Sequence, residues 1–204
     1  MLETLRQWLF PPACVACETP GPALCAACAP APDEAIAFAI GGLPALALGR
    51  YEGALRRAIV AMKHGERDPL DAFAGLLAAR APFGAAVIPV PTTRGRILDR
   101  GFDQSVELAR RVAAQRGARC CEVLEKRGDP QAGLDRRGRL RAAGRYRVRG
   151  GVPLPATATL LDDVCTTGAT VRDAARVLRD AGVEVSRVVV LARTAEPTAA
   201  AAGR

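Results

Sequence analysis

The sequence predicts an α/β fold, with an open, mostly parallel sheet, flanking helices and a small N-terminal module built around four cysteines. In the last third of the chain, the apolar runs ATATLLD and SRVVVLAR flank a segment whose apolar residues recur at helical spacing. A strand, a helix and a strand in this order form a βαβ unit with parallel strands. From about Leu46 onward, similar alternating patterns precede this unit, as expected for an α/β sheet.

Residues 1–34 are predicted to form an amphipathic helix followed by a metal-binding module. Leu2, Leu5 and Leu9 share one helical face, which we expect to pack on the domain, with membrane contact as the alternative. Two C-x-x-C pairs follow, and thiolates at this spacing suit a structural zinc ion held by Cys14, Cys17, Cys25 and Cys28. Redox dithiols or unligated thiols are the alternatives. The stretch 29–35 contains prolines and charges, which predict a linker.

Residues 35–194 are predicted to form the α/β domain, and residues 195–204 a flexible tail. The expected strands and helices follow one another as ALALGRY (strand), EGALRRAIVAMKHG (helix), DAFAGLLAAR (helix), AAVIPVP (strand), VELARRVAAQRG (helix) and RCCEVLE (strand). The stretch TTRGRILDRGFDQS is predicted to be a polar loop. The long basic stretch that begins at Lys126 lacks periodicity, which indicates a mobile functional loop.

Charge and composition favour a ligand that carries phosphate. The formal net charge is +8 and comes mostly from arginine, although a GC-rich genome would explain the same composition. Only 4% of residues are aromatic, which argues against a stacking platform for single-stranded nucleic acid and leaves phosphate contact as a route to DNA. The sequence has neither a run of about 18 apolar residues nor a secretion signal, so we expect a cytoplasmic protein without a membrane span.

The stretch TLLDDVCTTGAT carries the strongest functional signal. Asp162 and Asp163 end a buried strand and precede a turn of threonines and glycine that leads into a helix. Ligands of open parallel sheets bind at the carboxyl ends of strands, and helix N-termini bind phosphate. Since two carboxylates can accept hydrogen bonds from vicinal hydroxyls, the pattern predicts a sugar-phosphate site. The alternative is a helix cap formed by Asp163 and Thr166 without any ligand.

This stretch resembles the phosphoribosyl pyrophosphate (PRPP) signature of type I phosphoribosyltransferases. The two C-x-x-C pairs, YEGALRRAIVAMKHG, VIPVP, RGFDQS and PQAGL accompany it in an order that resembles the ComF family of competence-associated proteins, from Cys14 to about Arg193. The resemblance implies a type I phosphoribosyltransferase-like fold and a PRPP ligand whose pyrophosphate oxygens are bridged by Mg²⁺.

The resemblance also implies roles for individual residues. Asp162 and Asp163 would be the catalytic pair that holds the ribose hydroxyls. The 5′-phosphate would lie against a turn made of Val164, Cys165, Thr166, Thr167, Gly168, Ala169 and Thr170. The pyrophosphate would face Lys63, Thr92, Thr93, Arg94 and Arg100. Lys63 has an alternative role as a solvated cation at a helix end, and Gln131 is a further family position near the site.

Two positions depart from the family pattern. The family usually has asparagine where this chain has Asp103, and the asparagine expected shortly after PQAGL is missing. The second departure concerns a segment whose role would be acceptor binding or loop closure.

Three functions fit these observations. The first is an enzyme of the pentosyltransferase class that transfers ribose 5-phosphate from PRPP to an acceptor the sequence does not identify. The second is a non-catalytic protein of the competence machinery that handles DNA during uptake, with single-stranded DNA or other competence proteins as partners. The third is a regulator that senses PRPP without chemistry.

Overall fold

The computed structural model describes residues 12–126 and 144–195 of the 204-residue chain. Eight strands and five helices of more than four residues lie within these ranges. The strands are β1 (Ile36–Ile40), β2 (Leu43–Arg50), β3 (Ala86–Pro89), β4 (Arg119–Cys120), β5 (Leu124–Lys126), β6 (Tyr146–Val148), β7 (Thr157–Cys165) and β8 (Glu184–Arg193). The helices are α1 (Gly53–Lys63), α2 (Pro69–Arg80), α3 (Arg94–Arg100), α4 (Gln104–Arg116) and α5 (Ala169–Asp180).

Six strands form the main sheet in the order β1-β2-β8-β7-β3-β4, and β5 pairs with β6 in a separate two-stranded sheet. In the main sheet β1 runs antiparallel to β2, whereas the other neighbouring strands run parallel. The predicted open, mostly parallel α/β sheet is therefore confirmed.

The strand order reverses direction between β3 and β7. From β3 the chain continues through α3 and α4 to β4 at one edge, whereas from β7 it continues through α5 to β8 on the other side. Because β3 and β7 are neighbours, the connections that leave their carboxyl ends diverge and leave a crevice between them. Such a switch point is where open α/β sheets bind ligands.

Helices cover both faces of the sheet, so β7 and β8 are continuous apolar runs rather than alternating ones. Leu161 packs with Ile59 and Phe73 on the face covered by α1, α2 and α4. Leu160 packs with Leu178 on the opposite face, which α5 covers. Adjacent strand residues thus serve two separate core layers.

The residues around the cysteines pack against the first of these layers. Cys14 and Leu24 belong to the same apolar cluster as Leu55 of α1. The Arg57 side chain donates a hydrogen bond from Nε to the Ala16 carbonyl at 2.7 Å. These contacts anchor the cysteine region on α1. The predicted N-terminal amphipathic helix, by contrast, lies outside the described residues.

The stretch TTRGRILDRGFDQS is not the polar loop that the sequence predicted, because it contains helix α3. Thr93 caps this helix by accepting a hydrogen bond from the Arg96 N–H, and Gly101 ends it in the left-handed conformation. Leu98 is 75% exposed, so α3 lacks the buried apolar stripe by which a helix is recognised in sequence.

Three further elements differ from expectation. The basic stretch that begins at Lys126 was predicted to be a loop, but its end forms strand β6 (Tyr146–Val148), while 127–143 lie outside the described residues. RCCEVLE contains β4 and most of β5, two short strands that belong to different sheets, rather than one strand. Strand β1 was not predicted, although Gly41 and Gly42 between two apolar runs are a hairpin signal. Both glycines adopt positive φ angles, +58° and +84°, as the tight turn requires. Within the described parts of the chain, no helix combines the length and apolar composition needed to cross a membrane.

Candidate functional site

A cavity of about 300 Å³ opens at the carboxyl ends of β3 and β7, at the switch point of the sheet. Its walls come from the end of α1, the loop after β3, the first turn of α4, strand β6 and the end of β7. The threonine turn before α5 closes one side. Tyr51, helix α3 and Lys126 also contribute, so the cavity collects side chains from parts of the sequence that are far apart.

Asp162 and Asp163 both line this cavity and have different partners. Asp162 is 8% exposed, and its Oδ1 accepts hydrogen bonds from the Ser105 hydroxyl at 3.3 Å and from the Asp163 N–H at 2.8 Å. Asp163 forms an ion pair with Lys63, with 3.0 Å between Oδ2 and Nζ. The more exposed carboxylate thus has a cationic partner, whereas the buried one has neutral donors.

This difference separates the protonation of the two acids. Burial raises the pKa of Asp162 to about 8, and the negative charge of Asp163 adds to the effect. The raised pKa favours the protonated form of Asp162 at neutral pH. A ligand that donates hydrogen bonds to both, or brings a cation, favours loss of the remaining proton.

The turn between β7 and α5 closes tightly behind the carboxylates. Gly168 is the N-cap residue of α5 and has a φ angle of +71°, and no side chain caps this helix. A Cβ atom at this position would lie 2.7 Å from Cγ2 of Ile40. Arg172 Nη1 holds the turn by donating to the Thr167 carbonyl at 2.9 Å. The alternative in which Asp163 and Thr166 merely cap the helix is not what the structure shows.

Eight of the residues named from the sequence line the cavity. They are Lys63, Thr92, Arg100, Asp162, Asp163, Val164, Thr166 and Thr170.

The remaining named residues lie beside the cavity. Cys165 is buried in the α5 layer of the core, and the turn residues Thr167, Gly168 and Ala169 are not cavity-lining. Thr93 caps α3, and the exposed Arg94 contributes to a neighbouring cavity instead. Gln131 lies outside the described residues.

The structure also adds cavity residues that the sequence reasoning did not name. These are Tyr51, Val90, Pro91, Arg96, Gln104, Ser105, Lys126 and Tyr146. Gln104 and Ser105 belong to the quoted motif RGFDQS, which was a signal for them, whereas nothing in the local sequence singles out Tyr146. Its hydroxyl donates to the Pro91 carbonyl at 3.3 Å, and so links β6 to the loop after β3.

Asp103 explains how this loop is held. Its Oδ1 accepts hydrogen bonds from the N–H groups of Ser105 and Val106 at the start of α4, at 3.1 and 3.2 Å. Its Oδ2 accepts from the Thr92 N–H at 2.8 Å, which ties the loop after β3 to the helix. An asparagine has only one side-chain oxygen. Its NH₂ group would therefore face one of these N–H donors and leave that donor without an acceptor. The carboxylate of Asp103 therefore supplies one more acceptor contact than an asparagine could.

The four N-terminal cysteines form a separate cluster that shares no lining residue with the cavity. Their sulfur atoms all lie within 4.8 Å of one another, and those of Cys17 and Cys25 are 3.7 Å apart. A tetrahedral ion with Zn–S bonds of about 2.3 Å places its sulfurs about 3.8 Å apart, so the cluster fits a structural metal such as zinc. The Cys25 N–H also points to Cys14 Sγ at 3.5 Å, which helps to hold the thiolate.

The chain is similar in sequence to one curated protein and in shape to several solved structures. It is 29% identical over 107 residues to Competence protein ComFC of Streptococcus pneumoniae, a match that covers 52% of this chain and 47% of the relative. No family model matches the chain.

Among solved structures, orotate phosphoribosyltransferase from Aeropyrum pernix has 19% identity and a TM-score of 0.38, with 79% of this chain and 77% of that chain covered. Adenine phosphoribosyltransferase from Leishmania tarentolae has 15% identity and a TM-score of 0.38, with 67% and 74% covered.

The sequence match spans about half the length of the curated relative. It confirms the resemblance that the motifs predicted: over this part, the chain is similar to a ComF-type competence protein.

Proposed function

We propose that the chain binds PRPP with its Mg²⁺, or a related sugar phosphate, in the cavity at the switch point, and transfers ribose 5-phosphate to an acceptor. One observation carries the proposal: a single cavity brings together two carboxylates, several cationic side chains and a threonine-containing turn that leads into a helix. A ligand with hydroxyl groups at its centre and anionic groups at its ends matches this distribution.

Each part of the ligand has a candidate partner. The carboxylates of Asp162 and Asp163 accept hydrogen bonds from the ribose 2′ and 3′ hydroxyls. The 5′-phosphate lies at the N-terminus of α5, beside Thr166 and Thr170, where the helix dipole favours an anion. The pyrophosphate then faces a cationic wall of the cavity that includes Lys63, Arg96 and Arg100.

This cationic wall comes from three separate elements. Lys63 ends α1, and Arg96 and Arg100 belong to α3, while Thr92 lies in the preceding loop. Lys63 also pairs with Asp163, so the binding of ribose hydroxyls to Asp163 competes with this ion pair. The released ammonium is then available to the anionic ligand.

The proposed reaction breaks the bond between ribose C1 and the pyrophosphate oxygen. The electron pair of that bond leaves with pyrophosphate, the acceptor nucleophile forms the new bond to C1, and the proton of the acceptor passes to the departing pyrophosphate or to solvent. Negative charge accumulates on the leaving group, where fixed cations stabilise it more in the transition state than in the ground state. The carboxylates stabilise the positive charge that develops on the ribose.

The similarity to a competence protein supports a role in competence for this chain. The net charge of +8 supports contact with nucleic-acid phosphates. A DNA-handling or PRPP-sensing protein without turnover is the alternative function of the same fold.

Calorimetric titration of PRPP–Mg²⁺ tests the proposal. We expect saturable binding to the wild type, and loss of binding in Asp162→Ala/Asp163→Ala. The matched control is Asp71→Ala/Asp180→Ala, which removes two exposed carboxylates outside the cavity and leaves affinity unchanged. Equal affinity of the wild type and the cavity variant would refute the proposed site.

A second assay separates the three functions. Release of pyrophosphate from PRPP in the presence of an acceptor panel supports the enzyme, and binding without release supports the sensor. Salt-steep DNA binding that survives Asp163→Ala supports the DNA-handling role.

A further inference from the structure

The amide of Gln104 is a buried hydrogen-bond donor without a partner. Gln104 is the first residue of α4, lines the cavity and is 2% exposed. Its Nε2 has no hydrogen-bond partner in the described chain. More than about nine in ten buried polar groups in folded proteins are satisfied, so such an atom beside a cavity calls for a partner that enters from outside.

The orientation of this amide follows from its other contact. Arg100 Nη1 donates a hydrogen bond to Gln104 Oε1 at 2.9 Å. A guanidinium group has donors only, so the oxygen of the amide must face Arg100. If the amide were rotated by 180°, its NH₂ group would face the guanidinium of Arg100, and two hydrogen-bond donors would meet without an acceptor. The NH₂ group is therefore the part of this cavity-lining side chain that is left without a partner, and the contact with Arg100 holds the amide in place.

The surroundings of Gln104 indicate the chemistry of the missing partner. The adjacent Arg100 lies on the cationic wall, together with Arg96 and Thr92. The neighbouring Ser105 hydroxyl is already committed to Asp162. An oxygen that accepts from both an amide NH₂ and nearby guanidinium groups belongs to an anionic group rather than to a sugar hydroxyl.

We propose that Gln104 Nε2 donates a hydrogen bond to an oxygen of the pyrophosphate group of PRPP, and so makes Gln104 a binding residue of the cavity. This inference rests on the proposed function of the same site. It adds an amide donor to a wall that otherwise consists of cationic side chains and Thr92, and this directional hydrogen bond fixes the orientation of the pyrophosphate.

Two variants and one control test the inference by titration with PRPP–Mg²⁺ and, separately, with pyrophosphate–Mg²⁺. Gln104→Met removes the donor without adding charge and retains an unbranched side chain of similar length. Gln104→Glu keeps the acceptor for Arg100 and replaces the donor by a carboxylate oxygen. Gln115→Glu makes the same charge change at an exposed position of the same helix.

We expect about tenfold or greater loss of affinity for both ligands in Gln104→Met, and about a hundredfold loss in Gln104→Glu. Gln115→Glu should bind as the wild type does. Thermal unfolding without ligand should show that Gln104→Met is no less stable than Gln115→Glu, whereas Gln104→Glu buries a carboxylate oxygen without a partner and should be less stable. Gln104→Met retains its stability because the amide NH₂ has no partner to lose in the folded protein, and the half-buried Arg100 guanidinium can still reach water. A purely structural role would instead lower the unfolding temperature of Gln104→Met.

The outcomes distinguish this inference from the proposed function. If the wild type binds PRPP and Gln104→Met binds it with the same affinity, the inference alone is overturned, and the result indicates that water satisfies the amide. If the wild type binds pyrophosphate but not PRPP, and Gln104→Met loses affinity for pyrophosphate, the proposed function is overturned and the contact between Gln104 and an anionic group is supported. Failure of the wild type to bind either ligand overturns both.

Discussion

Replacement of Asp162 by asparagine should change how the stability of the protein depends on pH. In the folded chain, burial and the charge of Asp163 raise the pKa of Asp162 from 3.8 to about 8. Asparagine is isosteric, and its Oδ1 can still accept from the Ser105 hydroxyl and the Asp163 N–H. The variant therefore removes a titration while it retains the acceptor contacts of the site.

The sign of the effect follows from proton counting. Between about pH 4 and pH 8 the folded wild type holds a proton on Asp162 that the unfolded chain has released. The unfolded state then binds fewer protons, so the free energy of unfolding falls as pH rises. One proton corresponds to about 1.4 kcal/mol per pH unit, or about 3 kcal/mol between pH 5 and pH 7. The Asp162→Asn substitution should abolish this contribution.

Urea denaturation at pH 5, 6 and 7 measures the effect. The free energy of unfolding of Asp162→Asn minus that of the wild type should increase by about 3 kcal/mol over this range. The control is Asp180→Asn, which removes a carboxylate at the exposed end of α5 and should show a constant difference from the wild type. Parallel pH dependences for the wild type and Asp162→Asn would show that Asp162 is ionised in the folded protein, and would refute this reasoning.

Three further predictions concern the turn, the loop and the cysteine cluster. Gly168→Ala should lower the free energy of unfolding by about 2 kcal/mol or more, because of its positive φ and the approach of Ile40, and urea denaturation measures this loss. Asp103→Asn should cost about 1–3 kcal/mol in the same assay, because the Thr92 N–H loses an anionic acceptor. Cys14→Ser should lower bound metal to well below one equivalent in metal analysis and destabilise the chain.

Each of these has a control within the chain. Gly95→Ala, at a position where a Cβ meets nothing within 4 Å, should be close to neutral, and equal losses at both glycines would contradict the close-packing argument. Asp99→Asn leaves the hydrogen bond from the Thr92 N–H to Asp103 intact. A similar loss of unfolding free energy in Asp99→Asn would therefore contradict the stabilising role of that hydrogen bond. Cys121→Ser should retain the metal, and metal-free wild type would contradict the zinc assignment.

The sequence identified the elements whose pattern is local. Strands β7 and β8 are apolar runs, and α5 has buried Val171 and Leu178 at helical spacing, so periodicity located all three. The cysteine spacing likewise predicted a cluster, because two tight turns place their thiolates within a few ångströms. Helix α3 escaped prediction because its apolar Leu98 faces solvent and leaves no buried stripe.

The carboxylates and the threonine turn were visible in the sequence because they are adjacent in the chain. Only the tertiary structure decided that Gln104 and Ser105 from α4 and Tyr146 from β6 join them. Residues far apart in sequence meet only once the strand order and its reversal between β3 and β7 are set. The raised pKa of Asp162 likewise depends on burial by these neighbours, which is a property of packing and not of sequence position.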